Sequence, residues 1–471
     1  MLEEKWALIS VSDKSGLLEL AKTLLRHSYK ILASDGTHEY LVSNSIPAVR
    51  IAEFTKAPEI FDGRVKTLHP FIHGAILFDR DNPAHLAEAE QLGIRQIEVV
   101  IVNLYDTEQF DIGGPALIRA AAKNHKSVTI ITNPTQYPFF EAALAGGDLL
   151  SLRKDFARAA LEVTARYDLA ILKGISTPLR YGENPHQSGV LAGARGAASA
   201  TLIQGAQPSF NNYLDIDCAT LIASDHVPNT VVIVKHGAPC GVGSDKNPVE
   251  AFSKALKSDE TSAFGGVIAT NFEVDEKLAE QIAAGFYEVL VAPSYASGAL
   301  TTFASRKKMR VLALSNRSPQ DFNVREINGG FLFQSLDQIE TSESWKLVSG
   351  TRLEKDVMAD LEFAWKCVAR TRSNAVVIAK DLATVGIGMG EVSRVAAAKN
   401  AVARAATRAN NAVAASDGFF PFPDGLEILA GAGVRAIVAP HGSIRDEEII
   451  SAAKRLGISL YFAANRHFSH N

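Results

Sequence analysis

Short apolar segments alternate with helical patterns through the first third of the chain. After the first apolar segment, Ser12-Asp13 is a predicted helix N-cap, and apolar residues then recur at helical spacing on one face. Strands that alternate with helices favour a parallel sheet, so we predict an α/β domain here. The predicted strands are Trp6 to Val11, Lys30 to Ala33, Glu98 to Val102 and Val128 to Thr132, and the helical face is Leu17, Leu18, Ala21, Leu24 and Leu25.

A domain boundary is predicted near residue 175. A helical stretch from Leu152 to about Leu172 leads into the segment Gly174 to Gln187, which is rich in turn residues. The chain is therefore expected to contain one domain at 1–175 and a second at 176–471.

The second domain contains an internal repeat. The pattern Asn-x-Val-Val-Ile-x-Lys that begins at Asn229 begins again at Asn374, 145 residues later, and two glycines follow it at the same spacing in both places. Val289 to Pro293 has a similar counterpart in Ala436 to Pro440, 147 residues later. These offsets indicate a duplication with copies at about 195–335 and 336–471, although valine-rich strands can also match by chance.

Lys235 and His236 are the first candidates for chemistry. They follow the apolar strand Val231 to Val234 and lead into a predicted glycine-rich loop, Gly237 to Gly243. Parallel sheets bind ligands outside the carboxyl ends of their strands, and an imidazole placed there can accept a proton. Asp381 stands in the second copy where His236 stands in the first, so only the first copy would keep a base. The alternative is a solvated lysine beside a histidine that ends a strand.

Composition narrows the class of protein. The 471 residues are 47% hydrophobic and 21% charged with a net charge of −4, which is typical of a soluble globular protein and makes no demand for nucleic acid or membrane. The three cysteines form no Cys-x-x-Cys pair and fit a reducing compartment. The chain begins directly with a predicted strand, so we expect a cytoplasmic protein without an export signal.

Four segments of the first domain are suited to an anionic substrate. Ser10 to Lys14 and Ala33 to Thr37 each follow a strand, where hydroxyls and backbone N–H groups can surround a phosphate. Gly63 to Pro70 adds two cations and a hydroxyl. The fourth segment joins Asp111-Ile-Gly-Gly to Arg119 to Asn124, and its spacing predicts that Asp111 and Lys123 meet. Each segment alone is also compatible with an ordinary charged surface.

Taken in order, these motifs resemble those of the bifunctional AICAR transformylase/IMP cyclohydrolase family of purine biosynthesis. The similar stretches cover nearly the whole chain: SVSDK at 10–14, GRVKTLHP at 63–70, DIGG at 111–114, RAAAKN at 119–124, LRYGENPHQ at 179–187, VKH at 234–236, SAFGG at 262–266, SNA at 373–375 and SDGFFPFPD at 416–424.

The resemblance implies both a fold and a reaction. The fold would join an N-terminal methylglyoxal-synthase-like parallel-sheet domain, at 1–175, to a transformylase domain of two cytidine-deaminase-like α/β subdomains, at 176–471. A formyl group would pass from the co-substrate 10-formyltetrahydrofolate to the 5-amino group of AICAR, and formyl-AICAR would close to IMP with loss of water. The family also implies a homodimer with the transformylase site at the subunit interface, and no catalytic metal.

The family's transformylase residues can be placed on this sequence. Lys235, His236 and Asn374 match its catalytic positions, with His236 as the base, Lys235 next to the developing oxyanion and Asn374 orienting the formyl donor. Glu288 resembles its acidic ribose or base ligand, although a solvated carboxylate fits this position equally well. The other implied binding residues are Arg180, Tyr181, Asn212, Phe264, Arg394, Phe419, Asp424 and Arg466.

The first domain matches the cyclohydrolase positions. Lys66, Tyr105, Asp111 and Lys123 correspond to the polar groups around the closing ring, and their individual roles stay open. The implied binding residues are Ser12, Lys14, Ser34, Thr37, Arg64 and Thr67.

Two departures from the family pattern bear on ring closure. Only five residues separate Tyr105 from Asp111, so a helix or lid of the family is expected to be missing. Asp35 occupies a position where the family commonly has glycine, which puts a carboxylate beside a predicted phosphate site. A transformylase with a degraded cyclohydrolase domain is therefore one alternative function.

Other classes of protein account for only part of this pattern. A noncatalytic nucleotide-binding protein would explain the anion segments but would give Lys235 and His236 no role. A zinc deaminase would use Pro239-Cys240 near His236, but position 243 is glycine where its motif needs cysteine. Gly386 to Gly390 has the spacing GxGxG, which does not match the dinucleotide-binding GxGxxG.

Overall fold

A computed structural model of the chain describes residues 4–58, 60–105, 110–315, 317–318 and 321–470. Two compact units divide between Ile175 and Ser176.

The first unit is built on a parallel sheet, as the alternating pattern predicted. Within the described residues the sheet has five strands in the order β3-β2-β1-β4-β5, and every neighbouring pair is parallel. The strands are β1 (Lys5–Ser10), β2 (Tyr29–Ala33), β3 (Val49–Arg50), β4 (Ile97–Val102) and β5 (Thr129–Ile131). The order reverses between β1 and β4, and α/β sheets bind ligands at the carboxyl ends of strands at such a reversal.

Helices cover both faces of this sheet and complete its core. The central strands contribute fully buried side chains such as Leu8, Val100 and Ile101, and the helices add Leu20, Leu24 and Leu117. The helices are α1 (Leu17–Arg26), α2 (Asp35–Ser43), α3 (Ile51–Thr55), α4 (Pro70–Leu77), α5 (Pro83–Leu92), α6 (Gly113–Lys123), α7 (Tyr137–Leu144) and α8 (Leu149–Ile175).

The predicted N-cap at Ser12-Asp13 is wrong. Helix α1 begins at Leu17, and its N-cap is Gly16 with φ of 69°. The backbone N–H groups of Ser12 and Asp13 instead donate to Oδ1 of Asn103, at 2.6 and 3.0 Å. This loop is therefore fixed by the end of β4, a partner that lies about 90 residues away in the sequence.

The second unit is built on a mixed sheet. Its twelve strands in the described residues have the order β16-β21-β20-β19-β17-β18-β10-β9-β11-β12-β13-β8. These strands are β8 (Thr201–Gln204), β9 (Thr230–Lys235), β10 (Ala238–Ser244), β11 (Val267–Thr270), β12 (Val289–Ala292), β13 (Arg310–Ala313), β16 (Lys346–Ser349), β17 (Val376–Lys380), β18 (Ala383–Gly388), β19 (Val413–Ser416), β20 (Ala436–Pro440) and β21 (Ser459–Ala463). Two separate hairpins pair β6 (Thr177–Leu179) with β7 (Gly189–Leu191) and β14 (Phe322–Ile327) with β15 (Gly330–Ser335).

Helices cover this sheet on both faces, and its two halves have the same order of elements. Alternate residues of β9 and β17 pack against α9 and α14 on one face, whereas α10, α12 and α13 cover the first half of the other face and α15, α16 and α17 the second. Each half thus runs β-α-β-β-α-β-α-β-α-β, apart from the short α11. The helices are α9 (Phe210–Asp225), α10 (Pro248–Ser258), α11 (Glu260–Ala263), α12 (Glu276–Ala284), α13 (Ser297–Phe303), α14 (Lys355–Ala369), α15 (Arg394–Ala405), α16 (Asp424–Gly431) and α17 (Asp446–Leu456).

The segment after His236 differs from its prediction. It is the strand β10, paired antiparallel with β9, and β9 is also antiparallel to β11, so the parallel-sheet argument does not apply at Lys235. The glycines are needed for packing, because a Cβ on Gly243 would lie 2.5 Å from the carbonyl oxygen of Ala251 in α10. Gly388 meets Ala397 of α15 in the same way. The repeated glycines therefore admit a helix close to a strand.

None of the described helices has the length and apolar character needed to cross a membrane.

Candidate active sites

Lys235 and His236 lie at the tip of the β9–β10 hairpin. Lys235 pairs with Ala238, so His236 and Gly237 form a two-residue turn, and both have positive φ, 56° and 70°. The carboxylate of Asp215 in α9 accepts hydrogen bonds from the backbone N–H groups of both turn residues. Nζ of Lys235 donates to the carbonyl oxygen of Phe264 at 2.7 Å, while His236 is exposed at the tip.

Neighbouring strands bring two further predicted residues to this end of the sheet, and helix α9 brings a third. Phe264 immediately precedes β11, and Glu288 immediately precedes β12, the next strand. Nδ2 of the buried Asn212 donates to Oε2 of Glu288 at 3.0 Å. Phe264 is exposed and its ring lies 4.9 Å from that of Phe286, a residue that no sequence motif indicated.

Arg180 and Tyr181 lie in the loop of the β6–β7 hairpin. The guanidinium of Arg180 stacks over the Tyr181 ring at 5.4 Å. Nδ2 of Asn211 donates to the carbonyl oxygen of Glu183 at 3.2 Å, which ties this loop to the first turn of α9. The loop is thus attached next to Asn212.

A second group of predicted residues surrounds Asn374. Its Nδ2 donates to the carbonyl oxygen of Glu391 at 2.8 Å, and its Oδ1 accepts from Nη2 of Arg394 at 2.8 Å. Arg394 is buried and also forms an ion pair with the fully buried Asp417. Arg394 thus links the side chain of Asn374 to the buried carboxylate of Asp417.

The chain end and the loop after β19 supply the rest of this group. The exposed guanidinium of Arg466 lies 4.5 Å from the centre of the Phe468 ring, and that of Arg394 lies 5.9 Å from it. The backbone N–H of His467 donates to the carbonyl oxygen of Asp417 at 2.9 Å. Phe419 follows Asp417 and is half-buried, and the exposed Asp424 is the first residue of α16.

Strand directions place both groups at one edge of the twelve-stranded sheet. The His236 turn joins β9 to β10, and Asn374 precedes β17, whose first residue pairs with the last residue of β18. β9 and β17 are separated by β10 and β18, which is three strand spacings or about 14 Å. Within one chain, His236 and Asn374 therefore lie about three strand spacings apart.

In the first unit, polar loops meet at the carboxyl ends of β1, β2 and β4. The Ser12 hydroxyl donates to Oδ1 of Asn103 at 2.8 Å, across the reversal of strand order. The buried Thr37 hydroxyl accepts from the backbone N–H of Val11 at 3.2 Å and lies 3.4 Å from the Ser34 hydroxyl. Nζ of Lys14 lies 5.7 Å from the centre of the Tyr40 ring.

Asp35 is surrounded by cations. Its carboxylate accepts from Nη1 of Arg50 at 2.9 Å and from Nζ of Lys66 at 3.1 Å. Both contacts are ion pairs between partly buried side chains. The two cations thus offset the negative charge that Asp35 brings to the predicted phosphate site. The Asp35 carboxylate in turn holds the Lys66 ammonium in place. Arg50, at the end of β3, was not identified from the sequence.

Two other predicted residues of the first unit, Asp111 and Thr67, lie at the start of α6. Oδ1 of Asp111 accepts from the backbone N–H of Gly114 at 3.0 Å, and the buried Thr67 hydroxyl lies against Gly113, where a side chain would collide with it. Arg64 and Tyr105 are exposed. The expected missing lid concerns Tyr105 to Asp111, of which residues 106–109 lie outside the described residues.

Lys123 does not meet Asp111, contrary to the prediction from their spacing. Helix α6 extends continuously from Gly113 to Lys123, so Lys123 is its last residue while Asp111 precedes its start. Ten residues of α-helix separate its ends by about 15 Å. The role of Lys123 in ring closure stays a prediction.

The zinc alternative has no support in the geometry. Among the described residues, no three His, Cys, Asp or Glu side chains are grouped so that they could hold a metal ion. Cys240 is buried in β10, and burial raises the pKa of its thiol to about 12, which disfavours the thiolate that a metal requires.

Comparison with known proteins identifies the class that these two units form. An MGS-like domain profile matches residues 16–132, and a profile described as AICARFT/IMPCHase bienzyme matches residues 121–404. The chain is 43% identical to the bifunctional purine biosynthesis protein PurH of Mycobacterium marinum, over 98% of each chain. The corresponding protein of Corynebacterium glutamicum is 42% identical, over 99% of this chain and 98% of its own length. The crystal structure of ForH is 31% identical and covers 36% of this chain and 97% of its own, with a TM-score of 0.34.

The chain belongs to the bifunctional AICAR transformylase/IMP cyclohydrolase family of purine biosynthesis. The family and the fold class predicted from the motifs are confirmed. The chain is accordingly an enzyme with formyltransferase and IMP cyclohydrolase domains, and the comparisons do not favour a noncatalytic nucleotide-binding protein.

Proposed function

We propose that the chain takes AICAR to IMP in two steps. The amino nitrogen of AICAR attacks the formyl carbon of 10-formyltetrahydrofolate, the bond from that carbon to the folate nitrogen breaks, and tetrahydrofolate leaves. Formyl-AICAR then closes to IMP with loss of water. The observation that carries the proposal is the Lys235-His236 pair at the tip of the β9–β10 hairpin, where Lys235 bonds to Phe264, in a chain similar to PurH proteins along its length.

His236 is the proposed base of formyl transfer. The attacking amine must lose a proton as the new bond forms, and an exposed imidazole at the hairpin tip can accept it. The ammonium of Lys235 would stabilise the negative charge that develops on the formyl oxygen. Its hydrogen bond to the Phe264 carbonyl supports this role, because the bond holds the ammonium next to His236.

The nucleotide is proposed to bind beside this turn. Arg180 and Tyr181 lie in a loop tied to the start of α9, where Asn212 bonds to Glu288. A cation, an aromatic ring and a linked amide and carboxylate suit the phosphate, base and ribose of a nucleotide. Phe264 would line the same site.

We further propose that two copies of the chain share each transformylase site in a homodimer. The separation of about 14 Å between the His236 turn and Asn374 supports this, because a group that orients the formyl donor must lie near the base. The Asn374 half-site of a second copy would then supply the missing contacts. In this half-site Arg394 is proposed to act indirectly, by holding Asn374. The residues proposed to contact the substrates directly are Phe419, Asp424 and Arg466.

Ring closure is proposed to occur in the first unit. The reacting groups already belong to one molecule, so the site mainly has to hold the reactive conformer. Ser12, Ser34 and Thr37 lie at the strand ends where the nucleotide phosphate is expected, with Lys14, Arg64 and Thr67 as further binding residues. Lys66, Tyr105, Asp111 and Lys123 are the proposed polar groups around the closing ring.

A cytoplasmic location is part of the proposal, and it is supported by the three cysteines, which are all free thiols in the structure.

The test is to incubate the purified protein with AICAR and 10-formyltetrahydrofolate and to identify the products by chromatography. We expect IMP, and we expect it to require His236. Accumulation of formyl-AICAR would leave the transformylase but contradict ring closure, and the absence of formyl transfer would overturn the proposal.

A further inference from the structure

Asp215 is a buried carboxylate directly behind the His236 turn. It lies on α9, and its Oδ1 accepts from the backbone N–H of Gly237 at 2.6 Å while its Oδ2 accepts from that of His236 at 3.3 Å. Burying a carboxylate is unfavourable unless hydrogen bonds satisfy it, and these two bonds do so. The carboxylate and the turn backbone are therefore mutually dependent.

The turn needs such support because of its backbone conformation. His236 has φ of 56°, in the left-handed region, where a residue with a Cβ is disfavoured. Two-residue hairpin turns of this kind usually place asparagine or aspartate before glycine. Histidine is less usual than these two residues at the first turn position, and its side chain is exposed there.

The duplicated half contains the same arrangement without the histidine. Asp360 on α14, 145 residues after Asp215, accepts from the backbone N–H groups of Asp381 at 3.0 Å and Leu382 at 2.7 Å. Both of these turn residues have φ of 54°. Asp215 and Asp360 are both buried, so the two carboxylates hold two similar turns by the same pair of bonds.

The second turn lies at the opposite edge of the sheet. β10 and β18 are antiparallel, with Gly243 opposite Ala383. The His236 turn precedes the first residue of β10, whereas the Asp381 turn lies beside its last residues. Five residues of strand separate these positions by about 17 Å. Replacing Asp360 therefore loosens an equivalent turn that lies far from the proposed reaction, so it shows the effect of the turn on stability alone.

We propose that Asp215 is a positioning residue for formyl transfer, which acts by fixing the backbone of the His236 turn and so the point from which the imidazole reaches the amine. This inference rests on the proposed function. Asp215 does not itself contact the substrate, because it is buried behind the turn. Misplacing a reacting group by about 1 Å can lower a rate about 100-fold, so a loosened turn has a large expected effect.

The experiment compares Asp215→Ala with Asp360→Ala in the full chain. We expect Asp215→Ala to lower kcat for formyl transfer about 100-fold while KM for AICAR stays within about threefold, since the nucleotide contacts remain. Asp360→Ala should lower the melting temperature about as much as Asp215→Ala does, but it should leave kcat within about twofold. Asp215→Asn, which retains one carbonyl acceptor, should give an intermediate kcat and serves if Asp215→Ala does not fold.

Amide hydrogen exchange provides a readout independent of activity. Exchange at His236 and Gly237 should accelerate in the Asp215 variants, and exchange at Asp381 and Leu382 only in Asp360→Ala. Unchanged kcat or unchanged exchange in Asp215→Ala would overturn the inference alone, as would an equal loss of kcat in both alanine variants. A wild-type protein that transfers no formyl group would overturn the proposed function and this inference with it.

Discussion

The carboxylate of Asp35 accepts a 2.9 Å hydrogen bond from the guanidinium of Arg50, and Lys66 reaches the same carboxylate. Asp35→Asn removes one negative charge next to the proposed phosphate site. An added unit of positive charge at about 4 Å is worth about 1 kcal/mol in water, so we expect KM for formyl-AICAR to fall up to about fivefold at low salt. We expect kcat of ring closure to fall as well, because Lys66 loses an ion pair that orients it.

Ring-closure kinetics at low and high ionic strength check this prediction, since an electrostatic gain in binding should shrink with salt. Glu39→Gln is the matched control, because Glu39 is an exposed second partner of Arg50 at 3.5 Å and its loss should change KM little. A higher KM in Asp35→Asn would contradict the prediction.

His236→Ala should abolish most formyl transfer and spare ring closure. Loss of a general base typically lowers a rate by about 10²–10⁴-fold, whereas the proposed cyclohydrolase site belongs to the other unit. Formyl transfer from AICAR and ring closure of supplied formyl-AICAR are measured separately. Asp381→Ala replaces the corresponding turn residue of the second copy and should keep both activities. An equal loss in both variants would indicate that the effect comes from the hairpin fold.

The order of strands and helices was largely predictable, because each element carries a local pattern of apolar residues. The apolar segment before Lys235 correctly predicted that Lys235 and His236 lie at the end of a strand. Gly241 and Gly243 were wrongly assigned to a loop. They lie in β10, and they are glycine because α10, which comes later in the chain, packs closely against them. Composition alone does not distinguish a glycine that permits a turn from one that admits a helix.

Residues that act through distant partners were harder to find. Asn103 fixes the Ser12 loop from 91 residues away, and Arg50 reaches Asp35 only because β3 lies beside β2. Asp215 did have a signal in the sequence, since Asp360 follows it at the offset of the repeat. Lys123 lies far from Asp111 because α6 continues without a break from Gly113 to Lys123. The spacing of the two residues in the sequence did not reveal the length of this helix.

Gly243→Ala and Gly388→Ala should each destabilise the second unit. A Cβ at either position would overlap the carbonyl oxygen of a packed helix, Ala251 in one case and Ala397 in the other. Such overpacking costs about 1–3 kcal/mol, so we expect a lower urea midpoint for both variants. Gly431→Ala is the control, because nothing lies within 4 Å of its Cβ position and alanine favours the helix. Wild-type midpoints in both glycine variants would refute the packing argument.

His226 should make the second unit less stable in mild acid. The imidazole is buried against Phe363 and Cys367, and burial, with a smaller contribution from Lys366, lowers its pKa to about 3. The unfolded chain binds a proton below about pH 6.5 while the folded chain does not, so stability falls as pH decreases from about 6.5 toward 3. The slope from this residue is about 1.4 kcal/mol per pH unit.

Melting temperatures of wild type and His226→Gln between pH 7 and 4.5 measure this contribution. The variant should lose some packing at pH 7, but its stability should fall less steeply with acid. His186→Gln removes an exposed histidine and should keep the wild-type slope. Parallel curves for wild type and His226→Gln would show that His226 is not the titrating group.

Mixing two inactive variants tests whether two copies share the transformylase site. His236→Ala and Asn374→Ala should each lose formyl transfer, because every site in either homodimer lacks one of the two groups. Co-expression at equal levels makes half of the dimers hybrid, and in a hybrid one site combines an intact His236 from one copy with an intact Asn374 from the other. About a quarter of the wild-type activity per chain should therefore return.

If both groups served one site within a single chain, each hybrid site would still lack one of them and the mixture would stay inactive. Recovery thus distinguishes a shared site from a self-contained one without any knowledge of the dimer geometry.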